Sequence, residues 1–101
     1  MPRYANRVDS NHASVKDDLE AALPGVSVFD AAGSGRGFPD LVVGYKGLTY
    51  LYEVKDGKKS PSARKLTNAQ VGFHGNWQGH VAVICSAEEI LADMLKRSLE
   101  G

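Results

Sequence analysis

The stretch from residue 41 to residue 54 constrains this chain more than any other. Leu41-Val42-Val43-Gly44-Tyr45 and Leu48-Thr49-Tyr50-Leu51-Tyr52 are two apolar runs separated by Lys46-Gly47. Runs of this length, rich in β-branched and aromatic residues, read as strands, and a two-residue connection containing glycine reads as a hairpin turn. With Lys46 and Gly47 as the loop, Tyr45 lies opposite Leu48, Gly44 opposite Thr49, Val42 opposite Leu51 and Asp40 opposite Glu53. Lys55 stands two residues beyond Glu53 and points to the same face. The register therefore gathers Asp40, Glu53 and Lys55, with directly opposed Cβ atoms roughly 4.5–5.5 Å apart. A bulge in either strand would shift it by one residue.

Two facing carboxylates repel, so their placement needs a reason. One reading is an ordinary surface salt bridge in which Lys55 neutralises the acids. The other is a metal site for cutting a phosphodiester, with carboxylate oxygens for a hard cation and an ammonium beside it. The flanking residues favour the second. Leu41, Val43, Tyr50, Tyr52 and Val54 fall on one face, Val42 and Leu51 on the other, and strands apolar on both faces lie inside a sheet. Charges that close an interior hairpin are seldom there for solubility.

At 101 residues the chain is the length of one domain with a modest core. Twelve basic and twelve acidic side chains cancel, which counts mildly against a nucleic-acid binder. The distribution is less even. Lys55, Lys58, Lys59, Arg64 and Lys65 face only Asp56, a patch that either holds phosphates or is a solvated loop. The lone cysteine, Cys85, excludes a disulfide framework and a Cys-rich zinc site, and reads as a small buried apolar residue. There is no long apolar leader and no run of membrane-spanning length, so the expectation is no membrane and a reducing cytoplasm.

Along the chain, residues 1–8 read as a loosely held start. A helix is expected from Asp9 or Ser10 to Leu23, with Val15, Leu19, Ala22 and Leu23 at helical spacing and Pro24-Gly25 as its stop. Val26–Phe29 reads as a strand. The segment Ala31–Phe38 is glycine-rich but lacks the Gly-Lys-Ser/Thr ending of a P-loop. It is either a DNA-meeting element, with Ser34 and Arg36 on phosphate, or a simple connection. Asp56–Leu66 reads as a loop. Thr67-Asn68-Ala69-Gln70 and Ser86-Ala87-Glu88-Glu89 are capping boxes that open two further helices. Leu66, Phe73 and Trp77 share a face of the first of these, and His80–Ile84 is a strand between them. The order is helix, three strands, helix, strand, helix. This is an α/β chain whose last strand is expected parallel to the third.

With this order, Gly37-Phe38-Pro39-Asp40-Leu41-Val42-Val43-Gly44, Glu53-Val54-Lys55-Asp56-Gly57 and Leu66-Thr67-Asn68-Ala69-Gln70 resemble the PD-(D/E)XK nucleases. More narrowly they resemble the virus-type replication-repair nuclease domain, VRR-NUC, in its small stand-alone phage form, over about residues 9–89. The resemblance implies a restriction-endonuclease-like mixed sheet of about four strands flanked by helices, with residues 1–101 as a single nuclease domain. It implies Mg²⁺- or Mn²⁺-dependent cleavage of branched DNA, Holliday junctions included, by a homodimer in a phage-infected or bacterial cell.

The resemblance also implies roles. Asp40 and Glu53 would ligate the metal, with the backbone carbonyl of Val54 as a further ligand. Lys55 would orient water or oppose charge growing on the phosphate. Gln70 matches the family's helical glutamine, although its other reading is the return half of the capping box, and one amide is not expected to serve both. Many relatives carry a glutamate on the first helix, and Asn11 stands at its position without a charge. Either the site uses fewer acids, favouring one metal, or Asp9, Asp17, Asp18 or Glu20 contributes from another angle. His12 reads as a packed histidine, and His74 and His80 have no metal-pair spacing. DNA contacts from Lys58, Lys59, Arg64 and Lys65 would be sequence-independent. The rival readings are a catalytically inactive DNA-binding module on the same fold, a nuclease acting on plain DNA ends, and a self-associating structural protein.

Overall fold

A computed structural model describes residues 11–100. The elements run α1 (His12–Ala22), β1 (Ser27–Asp30), β2 (Leu41–Tyr45), β3 (Leu48–Val54), α2 (Asn68–Asn76), β4 (Ala82–Ile84) and α3 (Ala87–Glu100). The strands form one mixed sheet in the order β1-β2-β3-β4. β1, β2 and β3 pair antiparallel, and β4 joins β3 in parallel after the α2 crossover.

The hairpin has the register its sequence dictates. Tyr45 faces Leu48, Val42 faces Leu51 and Leu41 faces Tyr52, with no bulge between them. Lys46 and Gly47 take φ of 50° and 84°, the left-handed pair that matches the twist of the two strands. β2 and β3 are the interior strands, as their two-sided apolar pattern requires.

The core lies on one face of the sheet. Leu41, Val43, Tyr50, Tyr52, Val54 and Ile84 pack there against Val15 and Leu19 of α1 and Ile90 and Met94 of α3. Leu19 and Ile90 are completely buried, each stabilising the fold by about 1.5–3 kcal/mol relative to exposure. Tyr52 is also completely buried, so its hydroxyl needs a partner. It donates to Asp93 Oδ2 at 2.7 Å, and His80 Nε2 meets the same oxygen at 2.7 Å. The Leu51 N–H donates to His80 Nδ1 at 3.1 Å, which assigns the ring proton to Nε2. Burial, then the bond to Asp93, pushes the Tyr52 phenol well above its ordinary range. Burial alone would raise Asp93, but hydrogen bonds from Tyr52 and His80 and the charge of Arg97 outweigh it and hold the carboxyl below its ordinary value.

α2 is different in kind, because none of its residues is buried. It is started by a complete capping box. Thr67 Oγ1 accepts from the Gln70 N–H at 3.2 Å, and Gln70 Oε1 accepts from the Thr67 N–H at 2.8 Å. The second box is half-formed. Ser86 Oγ accepts from the Glu89 N–H, but the Glu89 carboxylate takes the N–H of Cys85 instead of Ser86.

Several boundaries differ from the sequence reading. The expected start of the first helix at Asp9 or Ser10 lies outside the described residues. The segment read as loop contains a 3₁₀ turn, Pro61–Arg64, because the Ser60 hydroxyl caps it and Pro61 pre-sets its first φ. β4 begins at Ala82 and not at His80, whose ring is committed to Leu51 and Asp93. Cys85 is half-buried where full burial was expected. No helix among the described residues is long and apolar enough to cross a membrane.

Candidate active site

Both acids stand at the hairpin's open end. Continuing the register past Leu41 and Tyr52 sets Asp40 opposite Glu53 and Pro39 opposite Val54. Asp40 Oδ2 accepts the Val54 N–H at 2.9 Å, reaching across the hairpin as a ladder carbonyl would. The Lys55 N–H donates to Ile84 O at 2.9 Å. The polar backbone groups of residue 55 therefore turn toward β4 and those of Val54 toward β2. Pro39, which the register places there, has no N–H to offer the Val54 carbonyl.

Glu53 is only 2% exposed. A buried carboxylate must be paired and hydrogen-bonded to be tolerable. Lys55 Nζ lies 3.8 Å from Glu53 Oε2, and Gln70 Nε2 donates to that oxygen at 2.8 Å. The Gln70 carbonyl accepts from Lys55 Nζ at 3.1 Å and from the Thr67 N–H at 2.8 Å. Its orientation is settled by chemistry: two donors demand the oxygen on one side and a carboxylate demands the nitrogen on the other. The expectation that one amide would not serve both roles is corrected. The carbonyl oxygen has two lone pairs, one for the cap and one for the ammonium, and the amide nitrogen is left for Glu53.

Asn11 is placed beside the site but spends its amide on backbone. Its Nδ2 donates to Cys85 O at 2.8 Å and Lys55 O at 3.2 Å, tying the first turn of α1 to the ends of β3 and β4. Its Oδ1 is buried with no hydrogen-bond partner among the described residues. Asp17, Asp18 and Glu20 are exposed, on the side of α1 away from its buried residues His12, Val15 and Leu19, and Glu20 pairs with Lys16. None of the three replaces a missing acid, because the helical period turns them from the sheet. Asp9 lies outside the described residues. His12 is packed as expected, 6% exposed and 3.2 Å from Asp30.

Two features of the site went unread in the sequence. His74 is one of them. Burial, then the charge of Lys55, lowers its pKa. Its spacing of four from Gln70 puts both on one helix face, and that spacing was the available signal. Pro39 is the other, through the N–H it lacks.

Among the DNA-contact candidates, Ser34, Arg36, Lys58, Lys59 and Lys65 are exposed. Arg64 is half-buried and donates to Lys59 O at 2.9 Å. The basic segment spans from Lys55 to the start of α2, so both of its ends are anchored at the site. Ser34 and Arg36 sit on the loop that enters β2.

The chain matches no family model, no curated protein and no solved structure.

The charges define what the site can take. Asp40 and Glu53 against Lys55 leave one negative charge in excess. No three His, Cys, Asp or Glu side chains converge on a metal-sized site among the described residues. Two carboxylates and a backbone carbonyl are oxygen donors suited to a small, hard cation that keeps water and phosphate in its shell.

Proposed function

We propose that the chain is a Mg²⁺- or Mn²⁺-dependent endonuclease that cuts branched DNA, of the VRR-NUC kind its motifs resemble. The observation that carries this reading is the Gln70 amide, which holds Glu53 and Lys55 together at the hairpin end where Asp40 also stands. A purely structural ion pair would not need an excess carboxylate beside it in an interior strand pair.

Asp40, Glu53 and the Val54 carbonyl would hold the ion, which supplies Lewis-acid charge at the scissile phosphate. The chain's own residues do the rest. Gln70 fixes the Glu53 carboxylate in one orientation, so the ligand geometry is set before substrate arrives. The same residue holds the Lys55 ammonium, which then opposes charge building on the phosphate or orients the attacking water. Lys58, Lys59, Arg64 and Lys65 flank the site and would grip the DNA backbone regardless of sequence.

A second copy of the chain would present two such sites by two-fold symmetry, one to each of two strands at a junction. The surface we assign to that contact is the far end of the hairpin. Leu48 and Leu95 are 53% and 61% exposed there, and they line an apolar pocket of about 270 Å³ with Leu23, Tyr45 and Leu91. Equilibrium sedimentation of the wild type and of Leu95→Glu tests the assignment, with a dimer expected only for the wild type.

Cleavage is tested with four-way junctions, flaps, forks and linear duplex in Mg²⁺, Mn²⁺ and EDTA. Metal-dependent cutting of branched substrates is the expected result. Binding without cutting in any metal would favour an inactive DNA-binding module, and equal cutting of linear duplex would remove branch selectivity.

A further inference from the structure

We propose that the cleft between the glycine-rich loop and the outer face of α2 binds one unpaired nucleotide of the substrate strand, stacking its base on the exposed indole of Trp77, which Phe73 backs. This rests on the nuclease reading for its place beside the scissile phosphate, since the cleft and Gln70 share α2. Arg36, Ala69, Gly72, Phe73, Asn76 and Trp77 line an open cleft of about 380 Å³, in the range of small-ligand sites, roughly 300–1,000 Å³.

The aromatic residues here serve no core. No residue of α2 is buried, and Trp77, which caps it, is 44% exposed. They are nonetheless held in place. The Trp77 indole N–H donates to His80 O at 3.1 Å. Phe73 stacks on Trp77 at 5.1 Å and 20°, and Phe38 meets Phe73 edge-on at 5.3 Å and 74°. A stacking platform fixed before binding loses little side-chain freedom when a base arrives.

The opposite wall is fixed as well. Gly35, Arg36 and Gly37 have φ of 85°, 59° and 78°, and the Phe38 N–H closes the turn on Gly35 O. Arg36 thus takes a left-handed conformation that a side-chain-bearing residue seldom adopts, a kind of strain that gathers at ligand sites. Gly37 lies so close to α2 that a Cβ on it would fall 2.1 Å from Ala69 O, which pins the loop and its arginine to the cleft.

The chemistry of the lining selects the ligand. A guanidinium suits phosphate, stacked rings suit a π-face, and the Asn76 amide offers a donor and an acceptor to a base edge. A paired base has both faces covered by its neighbours, so only an unstacked one can enter. Along the helix, Ala69, Gly72, Phe73 and Asn76 centre about 100° around the axis from Gln70. The nucleotide would therefore sit next to the cutting site and not on it, where strands part at a branch.

Trp77 is the sole tryptophan, so its fluorescence reports the cleft directly. The full chain is titrated in EDTA with oligothymidylate and with an oligomer of equal length made of abasic sites. Oligothymidylate is expected to quench Trp77 and to bind roughly tenfold more tightly than the abasic oligomer, as stacking of one base provides. Gly72→Leu is the structural control, because nothing lies within 4 Å of a Cβ at that position. It is expected to fold with an unchanged melting temperature or a higher one, to fill the cleft, and to bind the two oligomers equally. Arg36→Ala is expected to weaken both.

Equal binding of the two oligomers by the wild type, or a base preference that survives in Gly72→Leu, would overturn the proposal. If that happens while branched DNA is still cut in Mn²⁺, the cleft reading fails alone. If base-dependent binding holds and no branched DNA is cut in any metal, the cleft stands as a nucleotide site and the nuclease reading fails.

Discussion

Gln70 donates its amide to Glu53 Oε2 at 2.8 Å, and its carbonyl takes the Lys55 ammonium at 3.1 Å and the Thr67 N–H at 2.8 Å. One side chain therefore starts a helix and sets the spacing of two candidate site residues. Thr67→Ala removes the cap and leaves the contacts of Gln70 with Glu53 and Lys55. It should cost about 1 kcal/mol of stability and leave cleavage near the wild-type rate. Gln70→Ala should cost at least as much stability and lower cleavage at least about tenfold, since it releases both partners. Chemical denaturation and junction cleavage on the two variants separate the roles.

Asp40→Asn keeps an acceptor for the Val54 N–H and removes the charge facing Glu53. Like charges directly opposed destabilise a sheet by a fraction of a kcal/mol to about 1 kcal/mol. The variant should therefore be as stable as the wild type or more so, while losing all cleavage. That pattern marks a residue kept for chemistry at the expense of stability. Urea midpoints measured beside cleavage rates check it.

The network of Tyr52, Asp93 and His80 makes stability depend on pH at both ends. Asp93 has a folded pKa below its unfolded value of 3.8, so its contribution is present above that pH and is lost as pH falls through the folded value. The folded pKa of Tyr52 lies above its unfolded value of 10.0. Its contribution is present below pH 10 and is lost as pH rises beyond it. Tyr52→Phe should cost about 1.5–3 kcal/mol near neutrality and flatten the alkaline limb, and Asp93→Asn should flatten the acid limb. The lowered pKa of His74, 6.5 when unfolded, adds a shallow decline as pH falls below 6.5. Melting temperatures across pH 2 to 11 test the three signs.

Gly37 has φ of 78° and no room for a side chain against Ala69. Gly37→Ala adds left-handed strain to a backbone clash, so it should destabilise the chain by more than about 1 kcal/mol. Gly33 also has a positive φ, 88°, but nothing lies near its Cβ, and Gly33→Ala should cost about 1–2 kcal/mol, less than Gly37→Ala. Paired denaturation curves distinguish close approach from conformation alone.

The legible part of this fold was its interior hairpin. The Lys46-Gly47 turn and apolar residues on both faces predict the register that the structure shows, and with it the shared face of Glu53 and Lys55. Helix α2 was legible through its capping box. Its use of the same glutamine at the site was not, because a box accounts for the side chain without reference to the sheet. The Tyr52–Asp93–His80 network joins residues 13 to 41 positions apart, beyond any local pattern. The cleft at Arg36 escaped for a similar reason: the contact of Gly37 with Ala69 that forms it depends on how the loop folds back, not on spacing.

The central claim is that Asp40 and Glu53 serve a divalent cation in cutting branched DNA. The most direct measurement is the rate at which wild-type and Asp40→Asn proteins cleave a four-way junction in Mn²⁺ and in EDTA. We predict cleavage only by the wild type and only with metal. Cleavage by Asp40→Asn at the wild-type rate, or undiminished cleavage by the wild type in EDTA, would contradict it.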